Sequence, residues 1–305
     1  MKDKKIGGLI LFSKEMLDNN MKIGSITVLE RIILTYQQVG LDPIVIVSDM
    51  DLYYMVSNLK KYPIIYLQKE KKKGTIDLLK AGVKYLSTKC HALLYTPAVT
   101  PMFTANTLTK LIEEKGNLVT PSYKFKSGHP LLIREALYQP ILKSSLSLKD
   151  TIRSFSEERV FVNIEDSGVL STVDKKGEID NILKDHTNQL LSEYVEVRLE
   201  REKKFFDERA KLLLVLLKEM KTMGKTCQHM ALSKRKAWDI INEMERELGF
   251  KVVDRRHGGR DGGSTELTEK GEEFLYRYLE LENEIKKYAH KRFQELFGDY
   301  IEERE

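Results

Sequence analysis

Short apolar runs alternate with amphipathic segments along the first half of the chain, and this alternation constrains the fold more than any other feature. Runs suited to buried strands lie at residues 5–12, 43–47, 62–67 and 91–95, and near 118. Apolar residues at helical spacing predict helices at residues 26–38, 75–86 and 104–114. Strands alternating with helices predict an open, mostly parallel α/β sheet covered on both faces. A ligand site is then expected in the loops after Phe12, Val47 and Tyr95, beyond the carboxyl ends of the strands.

The character of the sequence changes near Asp185. From there to Lys221 it is charged, contains neither proline nor glycine, and has few β-branched residues. Such a composition predicts a solvated helix or helical linker. The sequence therefore predicts an α/β domain over residues 1–187, a helical linker over 188–208 and a second domain over 209–305.

The second domain shows the pattern of three helices, a hairpin and a further helix. Leu213 and Leu217 lie on the apolar face of the first helix. Ser233 is placed to cap the third helix, and Gly249 supplies its C-terminal stop. Residues 250–267 predict the hairpin. This order of elements is typical of a winged helix-turn-helix.

Basic residues and glycines collect where such a domain would meet DNA. The residues predicted to bind DNA are Ser233, Lys234, Arg235 and Lys236 on the third helix, and Lys251, Arg255, Arg256, Gly258, Gly259, Arg260, Gly262 and Gly263 on the hairpin. The start of a recognition helix enters the major groove, and glycines allow the backbone to approach DNA closely. The alternative is a solvated charged helix beside a flexible loop.

Four stretches of this domain match a known pattern. They are SKRKAW from Ser233, NEME from Asn242, LGFKVVDRRHGGRDGGS from Leu248 and LTEKGE from Leu267. Residues 209–277 thereby resemble the DNA-binding domain of molybdate-responsive (ModE-type) regulators, although Lys234 replaces the usual Tyr and Ser264 a third Gly. The resemblance implies a winged helix-turn-helix that dimerises and binds operator DNA. Trp238 is predicted to be a packing anchor rather than a base reader, because an indole is mostly buried.

The last helix carries a candidate dimerisation face. Phe274, Tyr278, Leu281, Ile285 and Tyr288 follow the 4-3-4-3 spacing of a coiled-coil seam. A homodimer is expected if two hairpins read two half-sites. The alternative is a helix packed on its own domain.

The first domain also carries a set of matching stretches. They are KIGSITVLERII from Lys22, PIVIV from Pro43, LLYTPAVTPMF from Leu93, PSY from Pro121 and GHP from Gly128. Over most of residues 5–185 they resemble the MobA-like nucleotidyltransferases of molybdenum-cofactor synthesis. The resemblance implies an enzyme that joins a nucleotide to a phosphorylated partner, typically a pterin, with a magnesium ion.

The catalytic parts of that family do not carry over. The family has a glycine-rich cradle with R-M-G after the first strand, whereas Leu11 is followed here by FSKEMLDNNM and no glycine occurs until Gly24. The family's magnesium-binding Asp in T-P-A-D corresponds to Val99. The first Asp of its second motif corresponds to Thr172, which leaves only Asp174. A valine methyl offers magnesium no ligand, so the sequence predicts a domain that has lost catalysis.

Four residues of this domain remain candidate ligand contacts. Lys14 and Lys22 are predicted to attract an anion without a fixed cradle. Gly128 and His129 mark either a pterin-side surface or a turn with a satisfied histidine.

Composition permits these predictions without requiring them. The chain has 51 Lys and Arg against 46 Asp and Glu, a net charge of +5 that allows a nucleic-acid partner. Cys90 and Cys227 lie far apart, which argues against a disulfide scaffold or a Cys-rich metal site. With no secretory pattern or membrane-spanning run, a cytoplasmic location is expected.

The sequence therefore predicts a dimeric regulator of transcription that binds double-stranded DNA. Its first domain is expected to sense a nucleotide or pterin and to need no cofactor. The alternative is an active molybdenum-cofactor nucleotidyltransferase that carries a DNA-binding domain and uses magnesium and a nucleotide. A third possibility is a DNA-bound scaffold whose first domain contacts a protein partner.

Overall fold

The chain divides into two compact units. Unit 1 comprises Met1–Met55 and Ile64–Leu191, and unit 2 comprises Ser192–Glu305 with the short segment Val56–Pro63. The computed structural model describes residues 5–13, 21–50, 59, 61–69, 74–174, 176–256 and 264–302. Within these described residues, no helix combines the length and apolar character needed to span a bilayer.

Unit 1 is built around an open sheet. Its strands are β1 (Ile6–Phe12), β2 (Lys22–Ile23), β3 (Ile26–Thr27), β4 (Ile44–Ser48), β5 (Ile64–Gln68), β6 (Ala92–Pro97), β7 (Leu118–Tyr123), β8 (Lys126–Ser127), β9 (Leu131–Arg134) and β10 (Arg159–Asn163). The order across the sheet is β10-β7-β9-β6-β1-β4-β5, and β8 pairs with β7. Along this order only β9 runs antiparallel to its neighbours, β6 and β7. The predicted mostly parallel sheet is confirmed.

Helices cover both faces of this sheet. They are α1 (Val28–Gln38), α2 (Ile76–Leu86), α3 (Ala105–Glu113), α4 (Tyr138–Lys143), α5 (Leu148–Arg153) and α6 (Lys176–Gln189). A Cβ on Gly8 of β1 would lie 2.5 Å from the ring of Tyr36 in α1. A Cβ on Gly82 of α2 would lie 2.3 Å from Leu9 of β1. Because neighbouring side chains alternate across a strand, α1 and α2 pack closely on opposite faces of the sheet.

Unit 2 contains helices and a hairpin. Its elements are β11 (Leu199–Glu200), β12 (Lys204–Phe206), α7 (Glu208–Met220), α8 (Met223–His229), α9 (Lys234–Leu248), β13 (Val253–Arg256), β14 (Ser264–Leu267) and α10 (Glu269–Glu302). Leu213 of α7 and Ile241 of α9 are fully buried in its core. Strands β13 and β14 pair antiparallel and form the base of the hairpin. The Thr265 N–H donates to the Lys221 carbonyl at 2.9 Å, which fixes the hairpin to the end of α7.

The predicted helical linker over residues 188–208 is wrong. Helix α6 ends at Gln189, and the chain then contains no helix until α7, only the short β11–β12 pair. Phe206 is fully buried and packs edge-to-face on Phe274 and Tyr278 at centroid distances of 4.9 and 4.6 Å. Val197 is also buried, and its carbonyl accepts the Tyr278 hydroxyl at 2.5 Å. These tertiary contacts override the helix-like composition.

The predicted seam on α10 divides into two parts. Phe274 and Tyr278 pack against Phe206 within their own unit, as the alternative interpretation expected. Leu281, Ile285 and Tyr288 continue the same face of the helix but are exposed. The exposed part alone, called the α10 seam below, remains a candidate dimer contact.

Candidate functional sites

A pocket of about 580 Å³ lies in unit 1. Its wall includes Tyr95 on β6, His129 in the link from β8 to β9, and Thr75 just before α2. Helix α5 adds Arg153, and β10 adds Arg159. The pocket is thus assembled from elements far apart in sequence.

The charge of the pocket wall is positive. Lys149, Arg153 and Arg159 line it, and none of its described lining residues is acidic. The Arg159 guanidinium donates to the Thr120 hydroxyl at 2.9 Å and stacks 4.6 Å over the ring of Phe161. These two contacts fix Arg159 in place, while Lys149 and Arg153 are exposed. Such a wall favours an anionic ligand.

Gly128 and His129 both belong to this pocket. A Cβ on Gly128 would lie 2.4 Å from the Val169 carbonyl, which accepts the His129 N–H at 3.0 Å. Only glycine therefore allows this close approach of the two backbones. The His129 ring packs edge-to-face on Tyr95 at 5.5 Å.

His129 is held as a neutral imidazole. Burial is the main cause that lowers its pKa to about 4, and the positive charge of Arg159 lowers it further. Its Nδ1 is buried and has no hydrogen-bond partner among the described residues. The alternative interpretation of a satisfied turn histidine is therefore not supported at this nitrogen.

The positions that correspond to the family's metal-binding carboxylates lie side by side. The Val173 N–H donates to the Val99 carbonyl at 2.9 Å, so Val99 and Thr172 belong to adjoining segments. Neither side chain offers the carboxylate oxygen that magnesium prefers. Asp166 accepts the Thr104 N–H at 2.9 Å and the Thr107 hydroxyl at 2.7 Å, so it is engaged in holding the start of α3, whose N-cap is Thr104. Among the described residues, no group of three or more His, Cys, Asp or Glu is arranged to hold a metal.

Of the two predicted lysine contacts, the structure describes only Lys22. Lys22 is exposed on β2 and is not part of the pocket wall. Lys14 lies outside the described residues. Sequence reasoning missed Lys149, Arg153 and Arg159 because they lie on a short helix and an edge strand without a recognisable motif. Only the tertiary fold brings them together with His129.

In unit 2, three cations project from the start of α9. Ser233 caps the helix, its hydroxyl accepting the Lys236 N–H at 3.3 Å, which confirms the predicted cap. Lys234, Arg235 and Lys236 are exposed and form no ion pair within the described residues. The opposite face, with Ala237, is buried in the core. The fold thus presents the three charges to solvent together.

The hairpin residues are only partly described. Arg255 is exposed on β13, and its guanidinium lies 3.6 Å over the Trp238 ring. Lys251 pairs with Glu245 at 2.6 Å. The backbone of Arg256 belongs to β13, whereas Gly258, Gly259, Arg260, Gly262 and Gly263 lie outside the described residues.

The fold defines a class: unit 1 is an α/β domain with an open, mostly parallel sheet. More particularly, residues 20–163 match the family model described as the MobA-like NTP transferase domain. A search of curated proteins gave no match. The match ends at residue 163, so the interpretation of unit 2 rests on its own geometry.

Two solved structures share the fold of unit 1. One is 4-diphosphocytidyl-2C-methyl-D-erythritol synthase from Anaerococcus prevotii, with a TM-score of 0.50 and 19% identity over 59% of this chain and 96% of that chain. The other is a nucleotidyl transferase from a Methanothermobacter species, with a TM-score of 0.50 and 12% identity over 60% of this chain and 98% of that chain. At such identities the likeness establishes the fold alone.

Proposed function

We propose that the protein is a DNA-binding regulator of transcription. In this proposal unit 2 is a winged helix-turn-helix like that of the molybdate-responsive regulators, and unit 1 senses a ligand. The observation that carries it is the exposed cluster of Lys234, Arg235 and Lys236 at the capped start of α9, beside a basic hairpin.

The arrangement suits a duplex for electrostatic and steric reasons. A recognition helix enters the major groove by its N-terminal end, where backbone N–H groups and nearby cations meet phosphates. Of the four acidic residues of α9, Glu243 and Glu247 pair with Arg246, Glu245 pairs with Lys251, and Asp239 forms no ion pair within the described residues. The cations at the start of the helix are therefore not neutralised by these carboxylates.

The pocket of unit 1 supports a sensing role. Its three cations and neutral His129 suit a phosphorylated nucleotide or pterin. Ligand control of DNA binding then requires that the ligand bind more tightly to one DNA-binding state than to the other. Paired units joined through the α10 seam would place two hairpins for two half-sites.

DNA binding is tested with duplexes recovered from a random-sequence library, by measuring affinity against salt concentration. We expect the logarithm of the binding constant to fall steeply with the logarithm of the salt concentration. In the triple variant Lys234→Ala, Arg235→Ala and Lys236→Ala this slope should become shallower by about 2–3, because each lost phosphate contact removes about 0.9 from it. Lys287→Ala, an exposed cation on α10, is the matched control and should leave the slope unchanged. Equal slopes in the triple variant and the wild type would contradict the proposed interface.

Nucleotidyl transfer is the second candidate, favoured by the family match over residues 20–163. Val99 and Thr172 do not fit a magnesium ion, so no metal-dependent step is assigned to them. Thermal unfolding with each common nucleoside triphosphate, with and without magnesium, separates the two functions, because a ligand that binds the folded state raises stability. A shift that requires magnesium, followed by transfer to a phosphorylated acceptor, would establish the enzyme. A magnesium-independent shift would support sensing.

A further inference from the structure

We propose that Arg255 is a positioning residue that fixes the hairpin against α9, rather than a phosphate contact. This inference rests on the proposed function of unit 2. It changes the role expected for Arg255 from sequence, where it was grouped with the DNA-binding cations.

Two contacts occupy the Arg255 guanidinium. It lies 3.6 Å over the centre of the Trp238 ring, and one of its N–H groups donates to Asn242 Oδ1 at 3.3 Å. Trp238 and Asn242 are four residues apart, so they share one face of α9. A planar guanidinium can stack and donate in this way at once, whereas an ammonium cannot.

A second clamp fixes the base of the same hairpin. Glu245 is buried and accepts the N–H groups of Val252 and Val253 at 3.0 and 3.3 Å. Its other oxygen pairs with Lys251 at 2.6 Å. Glu245 follows Asn242 by three residues, so it lies on the same face of α9.

These contacts give the cations of unit 2 two different roles. Trp238, Asn242 and Glu245 hold the hairpin along about 10 Å of helix axis, given the rise of 1.5 Å per residue. The hairpin and α9 therefore form one preorganised surface before any ligand arrives. Lys234, Arg235 and Lys236 form no ion pair within the described residues, so they are the groups available to phosphates.

The stack can be tested without DNA, because Trp238 is the only tryptophan in the chain. Arg255→Ala and Arg255→Lys should both raise the accessibility of Trp238 to the quencher acrylamide. Arg246→Ala, which removes an exposed guanidinium paired elsewhere on α9, is the matched control and should not. Unchanged quenching in both Arg255 variants would overturn the stack, whatever the protein binds.

The role in DNA binding is tested with a short mixed-sequence duplex and a double-mutant cycle. Arg255→Lys should weaken binding about two- to fivefold, as expected for an exposed cation–π contact, and should leave the salt slope unchanged. Arg255→Ala combined with Trp238→Leu should lose no more than either change alone, since both remove one contact. Lys236→Ala should instead lower the slope by about 0.9.

Other outcomes would overturn the inference or the proposal beneath it. Full affinity in Arg255→Lys, with a shallower slope in Arg255→Ala, would show that Arg255 contacts phosphate. Additive losses in the double variant would show that Arg255 and Trp238 act separately. If the wild-type protein binds neither this duplex nor any library sequence, the proposed function fails, while the quenching result still decides whether the stack exists.

Discussion

Arg31 is a fully buried guanidinium whose described hydrogen bonds go to neutral groups. Its Nε and one terminal nitrogen donate to the Ile23 carbonyl at 3.0 and 2.7 Å. Its other terminal nitrogen lies 3.2 Å from His186 Nδ1, and His186 Nε2 lies 3.1 Å from the Phe103 carbonyl. The arrangement assigns the proton to Nε2, so that Nδ1 accepts from Arg31. A buried charge thus depends on a neutral imidazole.

This dependence predicts that unit 1 loses stability in mild acid. Burial first, and then the charge of Arg31, lowers the pKa of His186 to about 4. The unfolded chain takes up the proton below an ordinary pKa of about 6.5, whereas the folded chain resists it. The neutral His186 therefore contributes its full share to the free energy of unfolding above pH 6.5, and this share is lost as the pH falls towards 4.

Urea unfolding at pH 7 and pH 5 measures this effect. We expect the free energy of unfolding of the wild type to fall by about 1–2 kcal/mol through His186 alone, with a contribution of the same sign from His129. His186→Gln keeps a polar group of similar size and should show a smaller fall. An equal fall in wild type and variant would show that His186 does not titrate with unfolding.

The two kinds of site residue differ in how far sequence could predict them. The loss of the metal-binding carboxylates at Val99 and Thr172 could be predicted, because each residue stands in a recognisable motif and the sequence shows that the Asp is missing. Arg31 and Arg159 could not, since their roles arise from partners far away in sequence. Arg31 in particular looks like an ordinary surface residue of an amphipathic helix until His186 is folded against it.

At the scale of the element, α10 shows how one glycine sets the packing of a helix. A Cβ on Gly271 would lie 2.3 Å from the Val252 carbonyl, which itself accepts the Thr268 N–H at 3.0 Å. The first turn of α10 thus touches the backbone at the foot of the hairpin. This contact gives a physical reason for the glycine in the LTEKGE stretch.

Gly271→Ala should therefore destabilise unit 2 by about 1–3 kcal/mol, because backbone cannot move aside as a side chain can. Gly298→Ala is a matched control in the same helix, since a Cβ there meets nothing within 4 Å. It should leave stability unchanged or raise it by up to about 1 kcal/mol through helix propensity. Thermal unfolding of both variants measures the two changes in stability. Equal changes in the two variants would contradict the proposed clash with the Val252 carbonyl.

Helices and strands with a clear hydrophobic pattern were predicted more successfully than segments whose structure depends on a few tertiary contacts. The buried runs of β1 and β4, and the capped start of α9 at Ser233, follow from local pattern. Residues 190–207 instead depend on Phe206 and Val197 reaching partners on α10. Charge and the lack of glycine favour a helix there, and local sequence does not reveal those distant aromatic partners.

At the scale of the whole molecule, α10 exposes an apolar face that its own unit does not cover. The helix has 34 residues, which gives a length of about 50 Å. Glu282 on α10 pairs with Lys211, and Lys286 pairs with Glu208, so these ion pairs join the middle of α10 to α7. Leu281, Ile285 and Tyr288 are nevertheless exposed. Apolar surface of this kind is typical of a contact with another chain.

We expect the α10 seam to join two copies of the chain. Tyr288→Glu places a charge in that contact and should shift a dimer towards monomer in sedimentation or light-scattering measurements. Tyr276→Glu is the matched control: Tyr276 is 64% exposed against 68% for Tyr288, but it lies about 120° away around the helix. Because both side chains are exposed, neither change should unfold the monomer. Loss of the dimer in Tyr288→Glu alone would place the contact on the α10 seam. In that case Tyr288→Glu should also lower the affinity for DNA with paired half-sites more than the affinity for DNA with a single half-site. An equal response of the two variants would place the contact elsewhere.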